Sequence, residues 1–131
     1  MATIPKEFVD IVQKPTFAHF STLMDDGSPH SSPVWIDMEG ERLVVNSAEG
    51  RLKDRNIRRD PRVALSLTDP DNSYRALNIR GRVTKITREG ADEHIDQMAK
   101  KYMNVDKYPF RAPNEQRVKY YIDVDRVATM G

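Results

Sequence analysis

The sequence predicts a mainly β fold, a small β-barrel that carries short helices, and two observations lead to it. Short runs rich in β-branched and aromatic residues alternate apolar with polar positions, as at residues 62–68 and 117–127. Turn sequences separate these runs, among them the Asp-Gly pair at residues 26–27, which favours a tight hairpin turn. A chain of 131 residues has room for one domain, so we expect a single domain over residues 1–131.

Six strands follow from this alternation. They are predicted at residues 16–23, 29–38, 42–47, 62–68, 73–87 and 117–127. The fifth is long and contains Gly81, where a bulge or a close approach of another backbone is expected.

Three segments break the strand pattern and predict short helices. Residues 6–13 have apolar positions at helical spacing, and this helix would act as a lid or plug. Residues 48–60 form a polar segment that ends before a proline. A third helix is predicted to be capped by Thr87 and to end at Asn104.

The composition narrows the classes of function. Lys and Arg number 21 against 20 Asp and Glu, so the net charge of +1 provides no field that would attract nucleic acid. The chain has no cysteine, so any redox activity requires a bound cofactor. No apolar run approaches the roughly 20 residues of a membrane span, and the N-terminal segment lacks a signal pattern. We therefore expect a cytoplasmic protein with no membrane partner.

The segment at residues 46–56 is the strongest candidate for a binding site. It leads from a strand end through small residues into a helix whose first turns carry Arg51 and Lys53. The start of a helix presents unpaired amides and a partial positive charge, which suits a phosphate. Arg51 can hold phosphate oxygens in a fork and Lys53 adds a compact charge, while Ser47 adds a hydroxyl.

Two other interpretations of this segment remain open. Residues 51–62 hold six basic and two acidic side chains, a composition that also fits an ordinary solvated helix face. A site for RNA or another polyanion is the second alternative, although the balanced net charge argues against it. The spacing of His and acidic residues predicts no metal site.

Four motifs in fixed order carry a resemblance to a known family. The chain has Asp-Gly-x-Pro at residues 26–29, Val-Trp at 34–35, Ser-Ala-Glu-Gly-Arg-Leu-Lys-x-Arg-Asn at 47–56 and Arg-Asp-Pro-Arg-Val at 59–63. In this order they resemble the pyridoxamine 5'-phosphate oxidase-like FMN-binding split-barrel family. Within it the chain is most similar to the flavin/deazaflavin oxidoreductase branch of F420-dependent enzymes.

The resemblance implies a homodimeric, six-stranded antiparallel split β-barrel with two cofactor sites at the interface between subunits. The implied cofactor-binding residues are Ser31, Ser32, Val34, Trp35, Ser47, Ala48, Arg51, Lys53 and Tyr74. The residues that would hold the phosphate are Ser47, Ala48, Arg51 and Lys53. The four on the second strand, residues 31–35, would contact the planar ring. Tyr74 would come from the partner subunit. Trp35 also fits a packing role, because large aromatic side chains dominate cores and interfaces.

The implied activity is that of an oxidoreductase. Reduced coenzyme F420, a deazaflavin, would pass a hydride to an unsaturated or quinone-like small molecule, with solvent as a source of the proton and no protein side chain assigned as catalytic. FMN is the alternative cofactor, and a flavin- or deazaflavin-binding carrier without turnover is the alternative function. Arg55, Arg58 or Arg75 could receive the anionic tail of F420, which favours that coenzyme. The chain lacks the Arg-x-His signature of vitamin B6 phosphate oxidases, so that reaction is not expected.

Overall fold

A computed structural model describes residues 2–131 and shows one curled sheet of seven strands. The strands are β1 (Phe17–Leu23), β2 (Pro29–Trp35), β3 (Asp37–Glu39), β4 (Arg42–Ala48), β5 (Arg62–Thr68), β6 (Ala76–Thr87) and β7 (Arg117–Met130). Their order across the sheet is β2-β1-β5-β6-β7-β4-β3, and each neighbouring pair is antiparallel.

Three helices accompany the sheet. They are α1 (Val9–Gln13), which continues a 3-10 turn at Lys6–Phe8, then α2 (Leu52–Arg59) and α3 (Ala91–Met103). The predicted helix at residues 6–13 is therefore confirmed, as is the helix after the strand at 42–47. None of the helices within residues 2–131 is long and apolar enough to cross a membrane.

The sheet closes on itself at a single residue. β2 and β3 lie at opposite edges of the sheet, yet only Ile36 separates them along the chain, so the sheet must curl until its edges meet. The Ile36 N–H donates to the Tyr102 hydroxyl at 2.9 Å, and the Lys101 ammonium donates to the Ile36 carbonyl at 2.8 Å. α3 thereby satisfies the two peptide groups that leave the strand ladder. Burial raises the pKa of Tyr102 to about 12, so this hydroxyl stays protonated.

The mainly β split-barrel fold is confirmed, but the predicted number of six strands is wrong. The predicted second strand at residues 29–38 is divided into β2 and β3, which gives seven strands. The division has a physical cause, because Ile36 bonds to side chains of α3 instead of to a neighbouring strand. Alternation of apolar residues continues through the break, so the sequence pattern gave no sign of it.

The core fills the inner face of the curled sheet. Ile11 and Val12 of α1 and Ile57 of α2 are buried against it, so both short helices cover an open side of the barrel. The sheet residues with fully buried large side chains are Phe20, Leu43, Leu65, Leu67, Leu77, Ile79, Tyr120 and Ile122. The predicted alternation on the strands at 62–68 and 117–127 is thus confirmed.

The start of α3 differs from the prediction. Gly90, with φ of +71°, is the residue that precedes the helix, and Thr87 is the last residue of β6. The Thr87 hydroxyl accepts a hydrogen bond from the Glu89 N–H at 3.1 Å and so stabilises the turn before the helix. The predicted end is confirmed, since Asn104 adopts the left-handed conformation with φ of +56°.

Ion pairs connect α1 and the residue after it to the loop between β5 and β6. The buried Asp69 carboxylate accepts from Lys14 and from Arg75, both at 2.9 Å. Arg75 also pairs with Asp10 at 2.7 Å. Together with the Asp71 N–H, these donors lower the pKa of Asp69 to about 2.

Gly81 lies where the backbone of β7 comes close to β6. The β6–β7 register shifts between Arg80 and Gly81, so the predicted irregularity is confirmed. A Cβ at Gly81 would overlap the main-chain carbonyl oxygen of Asp123. Only glycine fits there without a displacement of β7.

We expect Gly81→Ala to destabilise the protein by about 1–3 kcal/mol, the usual cost of overpacking, because the overlapping atom belongs to the backbone of a central strand. Chemical denaturation measures the loss. Arg80→Ala, one residue away and exposed, is the matched control. A Gly81→Ala variant as stable as that control would contradict the close approach.

We expect Asp69→Asn to reduce the loss of stability at acidic pH. The folded-state pKa of Asp69 is about 2, below the unfolded value of about 3.9. Its contribution is therefore complete above about pH 4 and disappears as the pH falls toward 2. Unfolding free energies measured between pH 2 and pH 7 test this, with Asp106→Asn as an exposed control. An acid dependence in Asp69→Asn equal to that of the wild type would refute the assignment.

Candidate anion-binding cleft

A cleft of about 170 Å³ opens where β2 ends and α2 begins. The register of β4 with β7 places Ala48 opposite Arg117, so the helix that follows β4 begins beside the start of β7. The loop at residues 104–116 forms the remaining wall. The lining residues are Phe17, Pro33, Val34, Trp35, Asn46, Arg51, Lys53, Ile95, Tyr108, Phe110 and Arg117.

Three cationic side chains meet in this cleft. Arg51 and Arg117 both donate to one carboxylate oxygen of Glu115, at 3.0 Å and 2.7 Å. Lys53 is half-buried, and within residues 2–131 it makes no ion pair or hydrogen bond through its ammonium group. Three cations and one carboxylate leave two positive charges without a counter-charge in the cleft.

The electrostatic cost of this arrangement is visible at Lys53. Burial lowers the pKa of its ammonium group, and the nearby charges of Arg51 and Arg117 lower it further. A partly buried charge without a partner is unfavourable, and a bound anion would remove the penalty. The cleft therefore has the electrostatics of an anion site.

The first turn of α2 adds main-chain donors to the cleft. Arg51 precedes the helix in an extended conformation, and no side chain caps the first amides. The acidic residue of that turn, Asp54, is directed inward, where its carboxylate accepts from the Gly50 N–H at 3.0 Å and from the Tyr120 hydroxyl at 2.6 Å. It is therefore engaged in the interior rather than with the cations of the cleft.

Aromatic rings surround the cationic part of the cleft. The Trp35 ring stacks on Tyr102, with centroids 5.0 Å apart, and meets Tyr108 edge to face at 5.9 Å. Tyr108 in turn contacts Phe110 at 5.7 Å. Trp35 therefore packs against α3 and also lines the cleft, and its contact with a cofactor ring stays a prediction.

The structure brings together four of the residues singled out in the sequence. Val34, Trp35, Arg51 and Lys53 all line the cleft, although the first two and the last two come from segments about twenty residues apart. Ala48 lies beside them at the end of β4, buried and paired with β7. The resemblance implies that the basic helix start and the second strand share one site, and these four residues do lie together.

The other four predicted site residues lie elsewhere within this chain. Ser47 is buried on the opposite face of β4 from Asn46, and its hydroxyl has no partner in the described residues. Ser32 is half-buried with an unpartnered hydroxyl, and Ser31 is exposed and lines a groove on the outer face of the sheet. Tyr74 is 82% exposed on the loop before β6.

Several residues of the cleft had no role assigned from the sequence, although Asn46 begins the segment singled out there. Asn46 and Arg117 enter it because of the β4–β7 register, which no local pattern specifies. Tyr108 and Phe110 lie in the loop at residues 104–116, where no site residue was predicted. The only available signal was the aromatic pair on either side of Pro109, an unusual composition for a solvated loop.

The chain belongs to the family described as Pyridoxamine 5'-phosphate oxidase, whose model matches residues 4–131. The family expected from the four sequence motifs is therefore confirmed. Among solved structures, an F420 reductase is 28% identical, with 95% of this chain and 98% of that chain covered and a TM-score of 0.84.

Two further structures share the fold. A conserved hypothetical protein from Mycobacterium tuberculosis is 22% identical, with 99% of this chain and 86% of that chain covered and a TM-score of 0.74. A heme binding protein from Mycobacterium smegmatis is 18% identical, with 99% of this chain and 56% of that chain covered and a TM-score of 0.68. The same fold therefore occurs in proteins with different ligands.

We expect Glu115→Gln to lower the melting temperature and to increase the response to inorganic phosphate. The substitution leaves three cations in the cleft without a carboxylate, so an added anion stabilises the variant more than the wild type. Thermal unfolding with and without phosphate, at constant ionic strength, measures both effects. Glu41→Gln, an exposed carboxylate on the β3–β4 turn, is the control. Equal phosphate responses in the two variants would contradict the charge balance described here.

Proposed function

We propose that this protein is an oxidoreductase that binds coenzyme F420 at the cleft and reduces an unsaturated or quinone-like small molecule. The observation that carries the proposal is the unpaired, half-buried Lys53 at the start of α2, next to an aromatic wall. Membership of the family and the likeness to an F420 reductase support it. The bound coenzyme supplies the hydride.

The residues of the cleft fit the anionic end of such a coenzyme. Lys53 and the first amides of α2 provide donors that are not hydrogen-bonded to a carboxylate of the protein. Arg51 adds a guanidinium that can bind a phosphate and Glu115 together. Val34 and Trp35 provide an apolar surface beside the phosphate site, as a planar ring requires. The role of the protein is then to orient the ring and to exclude water from one face of it.

The preference for F420 over FMN depends on its additional anionic tail. Of the three arginines considered for the tail, Arg75 is engaged by Asp10 and Asp69, and Arg58 by Asp54. Arg55 is exposed on α2 and makes no ion pair within residues 2–131. We therefore assign the tail contact to Arg55, and FMN, which lacks the tail, is the alternative cofactor.

The proposal includes a homodimer. The outer face of β1, β5, β6 and β7 presents a groove of about 440 Å³ whose lining mixes small, apolar and polar residues with two arginines, and a second sheet can pack against it. Ser31 lies in this groove, and Tyr74 is exposed outside the cleft of its own chain. A second copy would bring further residues to the cofactor, in agreement with the expected contribution of Tyr74. Sedimentation analysis that finds a monomer at micromolar concentration would exclude this part of the proposal.

We expect Lys53→Ala to weaken the binding of phosphate-bearing coenzymes by about 10- to 100-fold, the range for loss of a charged hydrogen bond. Riboflavin and the phosphate-free deazaflavin core are internal controls, because their affinities should not change. Fluorescence titration of F420, FMN and both phosphate-free forms measures this. If the wild type binds phosphate-free forms as tightly as phosphorylated ones, the proposed site is wrong.

Arg55→Ala is the matched variant, since it removes one positive charge from the same helix. We expect it to weaken F420 binding several-fold and to leave FMN binding unchanged, because only F420 carries the tail. Equal effects on the two coenzymes would remove the argument for F420. Heme is included as a comparison ligand, and tight binding of heme alone would replace the proposal.

Turnover is tested with reduced F420 or reduced FMN and a panel of quinones and enones. Oxidation of the coenzyme that depends on both protein and acceptor supports an oxidoreductase. Tight binding without oxidation across the panel would support the alternative of a carrier protein.

A further inference from the structure

A continuous chain of hydrogen bonds leads from the cleft into the space between α3 and the sheet. Arg117 Nε donates to Asn46 Oδ1 at 2.9 Å. Asn46 Nδ2 lies 2.8 Å from the Ala91 carbonyl oxygen and 3.0 Å from His94 Nδ1. His94 Nε2 lies 2.9 Å from an Asp37 carboxylate oxygen. Arg117 and Asn46 line the cleft, whereas His94 does not.

Two partners fix the orientation of the Asn46 amide. A guanidinium can only donate, so the side of Asn46 that faces Arg117 must be the oxygen. A main-chain carbonyl can only accept, so the side that faces Ala91 must be the NH₂ group. The two requirements agree, and an inverted amide would violate both.

The orientation of Asn46 determines the proton position on His94. Because the Asn46 NH₂ group faces Nδ1, that ring nitrogen accepts and carries no proton. The proton is then on Nε2, which donates to Asp37. His94 is 4% exposed, so water does not compete at either nitrogen. The ring is held as the neutral Nε2–H tautomer.

Arg117 is the group that this chain holds in place. It is 3% exposed, its Nε is bound by Asn46 and its Nη1 by Glu115, and its guanidinium lies 5.2 Å from the centre of the Tyr108 ring. Within residues 2–131, Nη2 makes no hydrogen bond, so it remains as a donor for a ligand. The direction of Nη2 depends on the Nε contact, since the guanidinium is planar.

We infer that His94 is a positioning residue for anion binding, because its unprotonated Nδ1 is the second acceptor for the Asn46 NH₂ group, holds that amide in place and so keeps Arg117 fixed in the cleft. The inference deepens the proposed function and rests on it, since it assigns Arg117 to the phosphate of the coenzyme. A group at position 94 that does not accept at the Nδ1 position would leave the Asn46 NH₂ group with one partner, and Arg117 would lose a fixed neighbour.

Two amide substitutions separate this role from packing. By bond count, the oxygen of Asn corresponds to histidine Nδ1, whereas the amide of Gln corresponds to Nε2. His94→Asn therefore retains the acceptor for Asn46, and His94→Gln retains the contact with Asp37 only. We expect His94→Gln to weaken FMN and inorganic phosphate binding by about 10-fold, and His94→Asn to bind within about 3-fold of the wild type.

A packing role predicts the opposite order, because Gln fills more of the ring's volume than Asn. The melting temperature and riboflavin affinity of each variant show that it is folded. If His94→Gln binds FMN as the wild type does, or if His94→Asn binds more weakly than His94→Gln, the inference is overturned. If the inference about His94 fails but Lys53→Ala loses FMN binding in the same series, the proposed function still stands. A wild type that binds none of F420, FMN and phosphate would overturn both.

A spectroscopic measurement tests the tautomer without any ligand. Nitrogen NMR of ¹⁵N-histidine-labelled protein distinguishes a protonated from an unprotonated ring nitrogen, and the exposed His19 is the internal reference. We expect the neutral Nε2–H form at His94 in the wild type. In Asn46→Asp, the new carboxylate faces Nδ1, so both ring nitrogens of His94 should be protonated between two carboxylates. An Nδ1–H tautomer in the wild type would refute the inference.

Discussion

The structure depends on the single residue that joins the two edges of the sheet. Ile36 separates β2 from β3, and because these strands lie at opposite edges, the sheet can only exist in its curled form. The peptide groups of Ile36 would be unsatisfied at this junction without Lys101 and Tyr102 of α3. Loss of those contacts would cost the energy of buried unpaired polar groups and would free the edge of the barrel. α3 is therefore part of the closure.

The same closure creates the cleft. α3 brings Tyr102 against Trp35 at the end of β2, and the loop after α3 continues to Tyr108 and the start of β7. The cleft at the beginning of α2 is therefore lined by aromatic rings and by Arg117, which lies over the Tyr108 ring. Glu115, in this loop, compensates the two arginines but not Lys53. The result is an aromatic-lined cleft with an excess of positive charge, which favours the binding of an anion.

The features of the fold and the site that depend on local sequence pattern could be predicted. Alternation identified the strands, and the small residues before Arg51 and Lys53 identified the helix start that carries the cations. The break at Ile36 could not be predicted, since it results from hydrogen bonds to Lys101 and Tyr102, which are distant in the sequence. The contact between Arg117 and Asn46 was not predicted for the same reason, because it depends on strand register. Gly90 was missed because Thr87 offered a competing cap signal, and its hydroxyl does bond in the turn before the helix. The predicted cofactor-binding roles of all nine site residues, including Val34, Trp35, Ala48, Arg51 and Lys53, stay predictions.

The size of the cleft limits what one chain can do. Its volume of about 170 Å³ is smaller than the roughly 300–1,000 Å³ of sites that enclose a drug-sized ligand. It can therefore hold a phosphate and the edge of a ring, but a whole tricyclic coenzyme would extend beyond it. The larger part of such a ligand must then be covered by another surface or left in water. A hydride donor left in water would gain little from the protein, because the electrostatic and positioning effects require a water-excluded face. This mismatch between a well-formed anion site and a small cleft is a reason, independent of family membership, for proposing that a second copy completes the site.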